Sequence, residues 1–435
     1  MTGVEIGLIA LAGLFVLIAL RMPIGPALIG VSFCGLWALM GWRVALGALG
    51  VIPYQFSASW ILSSVPMFLL LGFIAFHTGL TQGLFRAARL WLSALPGGLA
   101  IAAVFGASGF AAVSGSSVAC SATMGRIAIP EMLSARYHPE LATGTLAAAG
   151  TIGALIPPSI ILILYGIVAQ VPVGGLFLGG IAAGLLTAIG YIIVILLRVW
   201  RDPSLAPSVT EAVTRTERLS ALSETWPVIL LAIGIFGGLF SGVFTPTEAG
   251  AIGAALATLI AALKRSLTRT AFSAAVIETV QTTSALIIIG IGASLLTRFL
   301  ALSGTGDALT GAVLALDAGP IAMMFGIVLL YLILGMFLEP IGAMLLTLPI
   351  VLPLVDGAGF SLLWFGIILT KLLEIGMITP PIGMNVFVIK GVVGDLVSTS
   401  AIFRGIAWFL AMDICILAIL MLWPELVLFL PAVLG

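Results

Sequence analysis

Apolar runs of about twenty residues follow one another along this chain from end to end, and runs of that length span a bilayer as helices. No water is available in lipid to hydrogen-bond a bare backbone, so only helices or closed barrels can span it. The residue-by-residue alternation that a barrel strand needs is absent. Only 8% of the residues are charged and 61% are hydrophobic. Soluble domains carry roughly 25% charged residues, so this chain cannot cover a water-facing surface. The reading is an all-α polytopic membrane protein. Its net charge is zero, which offers nothing to nucleic acid or to an acidic partner. Cys34, Cys120 and Cys415 lie in separate apolar stretches without C-x-x-C spacing. They read as small buried residues rather than metal ligands or a disulfide. Arg21 follows the first run and no basic segment precedes it, so residues 4–20 read as a retained span with its N-terminus outside.

The one long polar stretch, residues 198–226, divides the chain almost in half. An offset of 223 residues places Pro23 on Pro246, Pro130 on Pro353, Pro157 on Pro380 and Pro158 on Pro381. Gly30 falls on Gly253, and Ile152-Gly153 on Ile375-Gly376. Internal repeats of this kind are typical of secondary transporters. Residues 1–200 form the first repeat, 201–225 a polar cytoplasmic linker and 226–435 the second repeat. Spans are expected near 4–20, 24–41, 58–77, 141–170 and 174–197, then 227–243, 246–263, 272–299, 362–390 and 400–423, about ten in all. Residues 97–133 break at VSGSSVA and residues 320–354 at LEPIGA. Each is expected to be a re-entrant hairpin. The semi-polar segments before them, 81–96 and 304–319, are expected as interfacial helices.

Five crossings per half make the second repeat inverted. In this scheme fourteen of the 17 Lys and Arg residues, Arg126 among them, are cytoplasmic, and only Arg43, Arg298 and Lys371 lie toward the outside. The hairpins then open to opposite sides with their tips near the midplane, and both chain termini are periplasmic.

Each broken stretch, 141–170 and 362–390, carries a proline pair in mid-span. A proline inside a helix costs roughly 3 kcal/mol or more, because it removes an N–H and clashes with the preceding turn. Unwound carbonyls are tolerated at membrane depth only against protein, water or an ion. A desolvated Na⁺ needs several oxygens and no particular side chain. Pro157, Pro158 and Ser159, and likewise Thr379, Pro380 and Pro381, therefore mark two pseudo-symmetric cation sites, the other reading being plain proline kinks. The tip Ser114-Gly115-Ser116-Ser117 precedes a helix start, where serine caps well and the positive helix end suits a carboxylate. In the second tip, Glu339-Pro340-Ile341-Gly342, Pro340 fits the first helical position. Glu339 there either repels an anion or helps hold a cation. Among the other intramembrane charges, Lys371 and Glu374 are spaced to pair on one helix, and Asp413 to pair with a neighbour. Glu278 lies at a cytoplasmic end within reach of water, Arg298 can snorkel, and Glu248 is placed to cap the helix it opens.

The segments SGSSVACSATMGRIAIPEM, TIGALIPPSIILILYG, GVFTPTEAGA and EIGMITPPIGMNVFVIKG together resemble the large membrane subunit of tripartite ATP-independent periplasmic (TRAP) transporters of the dicarboxylate type. The resemblance runs over nearly the whole chain. It implies an elevator-type fold in the bacterial inner membrane and Na⁺-coupled uptake of an organic acid, C4-dicarboxylates being one class. It implies two Na⁺ sites, one from Ser114, Ser116, Pro157, Pro158 and Ser159, the other from Glu339, Gly342, Thr379, Pro380 and Pro381. Substrate would lie between them, against Ser114, Gly115, Ser116, Ser117, Ser159, Gly342 and Asn385. It also implies a small four-helix membrane subunit and a periplasmic substrate-binding protein as partners, with membrane lipid around them. Two departures, Cys120 where the family often has an acidic or amide residue and SLLWFG at 361–366, bear on the substrate rather than the family.

Three other readings are weaker. GASG at 106–109 matches a membrane serine protease motif, but the only histidines are His77 and His138, and no base is evident for it. A channel predicts pore symmetry between chains rather than a repeat within one. A stand-alone ion-coupled anion transporter or antiporter of related architecture differs from the three-part system in lacking the small subunit.

Overall fold

A computed structural model describes residues 1–207, 214–315 and 319–434. The first half holds α1 (Gly3–Ala19), α2 (Ile24–Met40), α3 (Trp42–Ser57), α4 (Ser64–Thr78), α5 (Gln82–Leu92), α6 (Gly98–Ser114), α7 (Ser117–Ser134), α8 (Pro139–Gly150), α9 (Ile160–Ala169) and α10 (Val173–Arg201). After α11 (Arg215–Ser223) come α12 (Trp226–Ala232), a π-turn, α13 (Gly238–Phe240), α14 (Pro246–Leu263), α15 (Arg269–Ser303), α16 (Thr305–Ala315), α17 (Gly319–Gly335), α18 (Pro340–Gly357), α19 (Leu362–Gly376), α20 (Met384–Val393), α21 (Thr399–Leu422) and α22 (Glu425–Leu434). Among the described residues there is no strand.

Shifting the first half by 223 residues sets α5 on α16, α7 on α18, α8 on α19, α9 on α20 and α10 on α21. The repeat thus appears element by element. Among the described residues, six helices are long and apolar enough to cross a bilayer alone, one of them being α18, an arm of the second hairpin. The 17-residue α1 and α2, the segment from Trp226 to Phe240 and the two interrupted helices, α8–α9 and α19–α20, occupy the other stretches read from the sequence as spans.

Two bodies of packing recur. The helices α2, α4, α14 and α15 pack on one another in a scaffold. The hairpin α6–α7 packs with α8, α20 and α21 around Phe110, Met124, Tyr191 and Phe409. The string of small residues in α6 lets these helices approach closely: Gly106 lies under Met124 and Gly109 under Leu84. Ser108 in the protease-like motif merely bonds back to the Val104 carbonyl at 2.9 Å.

Several expectations need correction. Cys34 and Cys415 are exposed on the outside of the bundle, and only Cys120 is buried. Lys371 is wholly buried within the bundle. The sequence reading had no helix at α3, which continues past Gly41 and contains Pro53, nor at α22 after the last span. The polar linker contains α11, whose Thr214 and Glu217 form a capping box. Residues 208–213 of that linker, and 316–318 at the end of the second interfacial segment, lie outside the described residues.

Candidate functional site

The first hairpin turns within two residues. Gly115 takes a left-handed φ of +63°, which a residue without a Cβ adopts at no steric cost. Ser116 is extended, and its Oγ accepts the Ala119 N–H at 3.4 Å, starting α7 as an N-cap. A Cβ on Gly115 would run into the Pro158 carbonyl oxygen, and one on Gly153 would sit 2.9 Å from the Ser116 carbonyl oxygen. The tip is therefore seated directly on the break between α8 and α9.

That break is an unwound strand of carbonyls. The helix passes through a 3-10 turn at Thr151–Ala154 and restarts at Ile160, where Ser159 Oγ accepts the Leu162 N–H at 3.2 Å. Among the described residues no N–H or O–H bonds to the carbonyls of residues 155–158. Pro157 and Pro158 have no N–H, so no helical bond can run from them back to Gly153 or Ala154. Pro157, Pro158 and Ser159 are buried. Ser114 Oγ is also buried and lacks a partner. A buried polar atom without a bond is costly, and a cation beside these oxygens would satisfy it. The first predicted set, Ser114 to Ser117 with Pro157 to Ser159, is thus gathered in one place.

The second break repeats the pattern more openly. The carbonyls of residues 378–382 receive no hydrogen bond among the described residues, while Met377 O accepts the Asn385 N–H at 3.0 Å. The Thr379 hydroxyl is turned back to the Ile375 carbonyl at 2.6 Å, and Pro380 and Pro381 are exposed. Glu339 caps α18, its two carboxylate oxygens each accepting at 3.1 Å from the N–H groups of Ile341 and Gly342. Gly342 itself faces Ile24 of α2. The backbone of Gly335 in the second hairpin lies against Gly376 at the end of α19. Asn385 is buried, donating to the Ala147 carbonyl at 3.4 Å with its own oxygen unpaired.

A cavity of ≈ 750 Å³ lies between the two tips and α4 and α15. Gly115, Ser116 and Ser117 reach it from the first hairpin, and Glu339, Pro340 and Ile341 from the second. Ala154, Ile160, Met377 and Met384 reach it from the broken helices, whereas Thr379, Pro380 and Pro381 do not line it. Its charged lining residues are Arg126, Glu278, Glu339 and Glu374. Glu278 does not simply face water: its Oε1 meets His77 Nε2 at 3.1 Å.

Sequence spacing misled most around Lys371. It does not pair with Glu374 one turn along its own helix. Its ammonium donates to Asp413 Oδ1 at 2.6 Å and to Thr187 Oγ1 at 3.1 Å. The Tyr191 hydroxyl donates to Asp413 Oδ2 at 2.8 Å and lies 3.0 Å from the Thr151 hydroxyl, at the edge of the first break. Glu374 instead accepts from the Ser117 hydroxyl at 2.6 Å. Asp413 thus pairs across helices, as expected, and Glu248 caps α14 through Thr245. No local spacing could reveal Ser117 and Glu374, which are 257 residues apart.

A repeated set of elements, paired hairpins, paired helix breaks and a central cavity are the features of a membrane transporter. The folds of two solved transporters agree. The Alcanivorax borkumensis YdaH transporter matches with a TM-score of 0.58 at 16% identity, covering 88% of this chain and 89% of that one. Neisseria gonorrhoeae MtrF matches at 0.59 and 20% identity, covering 88% and 85%. Residues 11–426 match the family described as "Tripartite ATP-independent periplasmic transporter, DctM component", and the chain belongs to that family. It is 33% identical over 370 residues to a putative TRAP transporter large permease protein of Haemophilus influenzae, covering 84% of this chain and 90% of that protein. It is 31% identical over 410 residues to the C4-dicarboxylate TRAP transporter large permease protein DctM of Vibrio cholerae, covering 88% and 89%. With the isethionate TRAP transporter permease protein DctMQ of Oleidesulfovibrio alaskensis it shares 30% identity over 411 residues, and the match spans 64% of that longer protein.

Proposed function

We propose that this chain is the large membrane subunit of a three-part importer that carries an organic acid inward together with Na⁺. One observation carries the reading: the first hairpin tip sits on four carbonyls without hydrogen bonds, beside the unpaired Ser114 hydroxyl, at the edge of a ≈ 750 Å³ cavity. Oxygen-only ligation suits a hard monovalent cation, and a helix N-terminus at Ser116 suits an anion next to it. Na⁺ occupies the oxygens of Ser114, Ser116 and residues 157–159, and a second Na⁺ the carbonyls around Thr379 to Pro381. The acid lies between the tips, against Ser116 and Ser117. The names of related permeases refer to isethionate, C4-dicarboxylates and sialic acid, each an anion at neutral pH. A periplasmic binding protein delivers the acid, and a small membrane subunit braces the scaffold. The hairpins and broken helices move as a unit against α2, α4, α14 and α15, in an elevator motion between the two repeats.

The test is uptake by vesicles holding this chain with its small subunit, supplied with the binding protein encoded beside it and that protein's bound acid. An inward Na⁺ gradient drives accumulation. Uptake that ignores Na⁺ and follows only a proton gradient overturns the reading.

A further inference from the structure

Arg298 takes no part in the function just described, and among the described residues no carboxylate pairs with it. It lies near the end of α15, a helix long and apolar enough to span a bilayer. Its side chain lines a second cavity, a cleft of ≈ 470 Å³ that shares no residue with the one between the hairpin tips. One wall is a single face of α3, where Val44, Gly47, Val51 and Gln55 follow at three- and four-residue spacing. The other includes Arg298 and Leu302, one turn apart on α15. The gap stays open at Gly47, which has no side chain: nothing lies within 4 Å of a Cβ placed there. Trp37 and Trp42, at the turn from α2 into α3, are both exposed and meet edge to face with ring centroids 5.3 Å apart. Exposed tryptophans of a membrane protein settle at the headgroup level, so the cleft begins, at Val44, where headgroups lie.

A lone cation on a membrane-spanning helix is costly unless an anion or interfacial water joins it. A guanidinium meets two phosphate oxygens at once, and the Gln55 amide on the facing wall is a further donor. Inorganic phosphate alone would displace only a few waters of about 30 Å³ each and would leave Val44, Val51 and Leu302 wet. A phospholipid supplies the same phosphate together with a chain that covers them. Among the described residues no Asp or Glu lines the cleft, so the ammonium of a zwitterionic headgroup finds no partner there. The charge therefore favours a headgroup that is anionic overall.

We propose that the cleft between α3 and α15 binds an anionic phospholipid, its phosphodiester held by Arg298 and one chain lying along the α3 face beside Gly47. The lipid fills the space between two scaffold helices. The site is independent of what the protein carries and is measurable without knowing the substrate.

Native mass spectrometry decides the matter, on the purified complex with its small subunit in micelles holding equal phosphatidylglycerol and phosphatidylcholine. The wild type is expected to retain one phosphatidylglycerol in preference to phosphatidylcholine by about tenfold, the worth of one charge-assisted hydrogen bond. Arg298→Gln loses that preference, and Arg298→Lys keeps part of it. Gly47→Leu leaves the charge but fills the cleft, so it loses the retained lipid of either kind. Arg298 and Gly47 are both exposed, so neither change disturbs the core. Wild-type retention in both Arg298→Gln and Gly47→Leu overturns the proposal. So does thermal stabilisation of the wild type, but not of Arg298→Gln, by inorganic phosphate when no lipid is retained, which makes the cleft a site for a free anion. Lipid retained by the chain alone and absent from the complex gives the cleft to the partner subunit and overturns it equally.

Discussion

Replacing Gly115 by alanine tests the seating of the first tip on the first break. Two effects add. The left-handed φ of +63° becomes unfavourable for a residue with a Cβ, by about 1–2 kcal/mol. The new Cβ also meets the Pro158 carbonyl oxygen, a backbone atom that cannot swing aside. Overpacking of this kind costs roughly 1–3 kcal/mol. Gly304 separates the two effects. Its φ is +69°, but nothing lies within 4 Å of a Cβ there, so Gly304→Ala carries the strain alone. Each 1.4 kcal/mol is about a tenfold change in affinity, so Gly115→Ala should raise the half-saturating Na⁺ concentration about tenfold or more relative to Gly304→Ala. The assay is the Na⁺ dependence of thermal stability in detergent, with choline in place of Na⁺ as control. A ligand that binds only the folded protein stabilises it in proportion to the logarithm of its concentration over Kd. Equal Na⁺ titrations for the two variants, both at wild-type affinity, would show that contact between tip and break has no part in holding the ion.

Ser159→Ala removes the cap of α9 and should lower Na⁺ affinity by an amount near the usual ~1 kcal/mol of an N-cap, while Ser159→Gly recovers most of it; Na⁺ titrations of both variants check this. Lys371→Met strands a buried Asp413 and should destabilise the protein by about 3–5 kcal/mol, whereas Lys371→Met with Asp413→Leu should recover most of the loss; thermal unfolding of the single and double variants reads this out. In the linker, hydrogen bonds from Thr214 hold the Glu217 carboxyl below the usual carboxylate range. The contribution of this group to α11 is therefore full above its unfolded pKa and is lost as pH falls through the lowered folded value. Amide exchange across Arg215–Ser223, corrected for intrinsic rates, should accelerate on acidification in the wild type and much less so in Glu217→Gln.

The site's backbone was legible in the sequence because proline writes its effect locally. Pro157, Pro158, Pro380 and Pro381 cannot continue a helix wherever they sit, so the places of the two breaks follow from identity and position alone. The hairpins were legible for a related reason: serine and glycine at one tip, and Glu339-Pro340 at the other, both carry helix-start chemistry. The side-chain pairing was not legible. Lys371 and Glu374 are three apart, and spacing on a helix favours a pair. The bundle instead brings Asp413 and Ser117 to them from distant segments. In low-dielectric surroundings such long-range partners win, since each lets a buried charge or hydroxyl meet a partner it cannot find on its own helix. The helix α3 was missed because its apolar character is weak and Pro53 interrupts the pattern. Outward-facing Cys34 and Cys415 show that an apolar stretch does not say which of its faces meets lipid.

One of the mismatches between the two halves falls on the helices that flank the cavity. The long α15 runs unbroken for 35 residues, while its counterpart is jointed between α3 and α4 at residues 58–63. Thr247 of α14 fastens that elbow by donating to the Trp60 carbonyl at 3.2 Å. A continuous rod resists bending along its whole length, whereas an elbow yields at one point. The twin arms flanking the cavity are thus mechanically unequal, one a strut and the other a hinge. A bending load on the bundle would meet less resistance on the α3–α4 side than along the continuous α15.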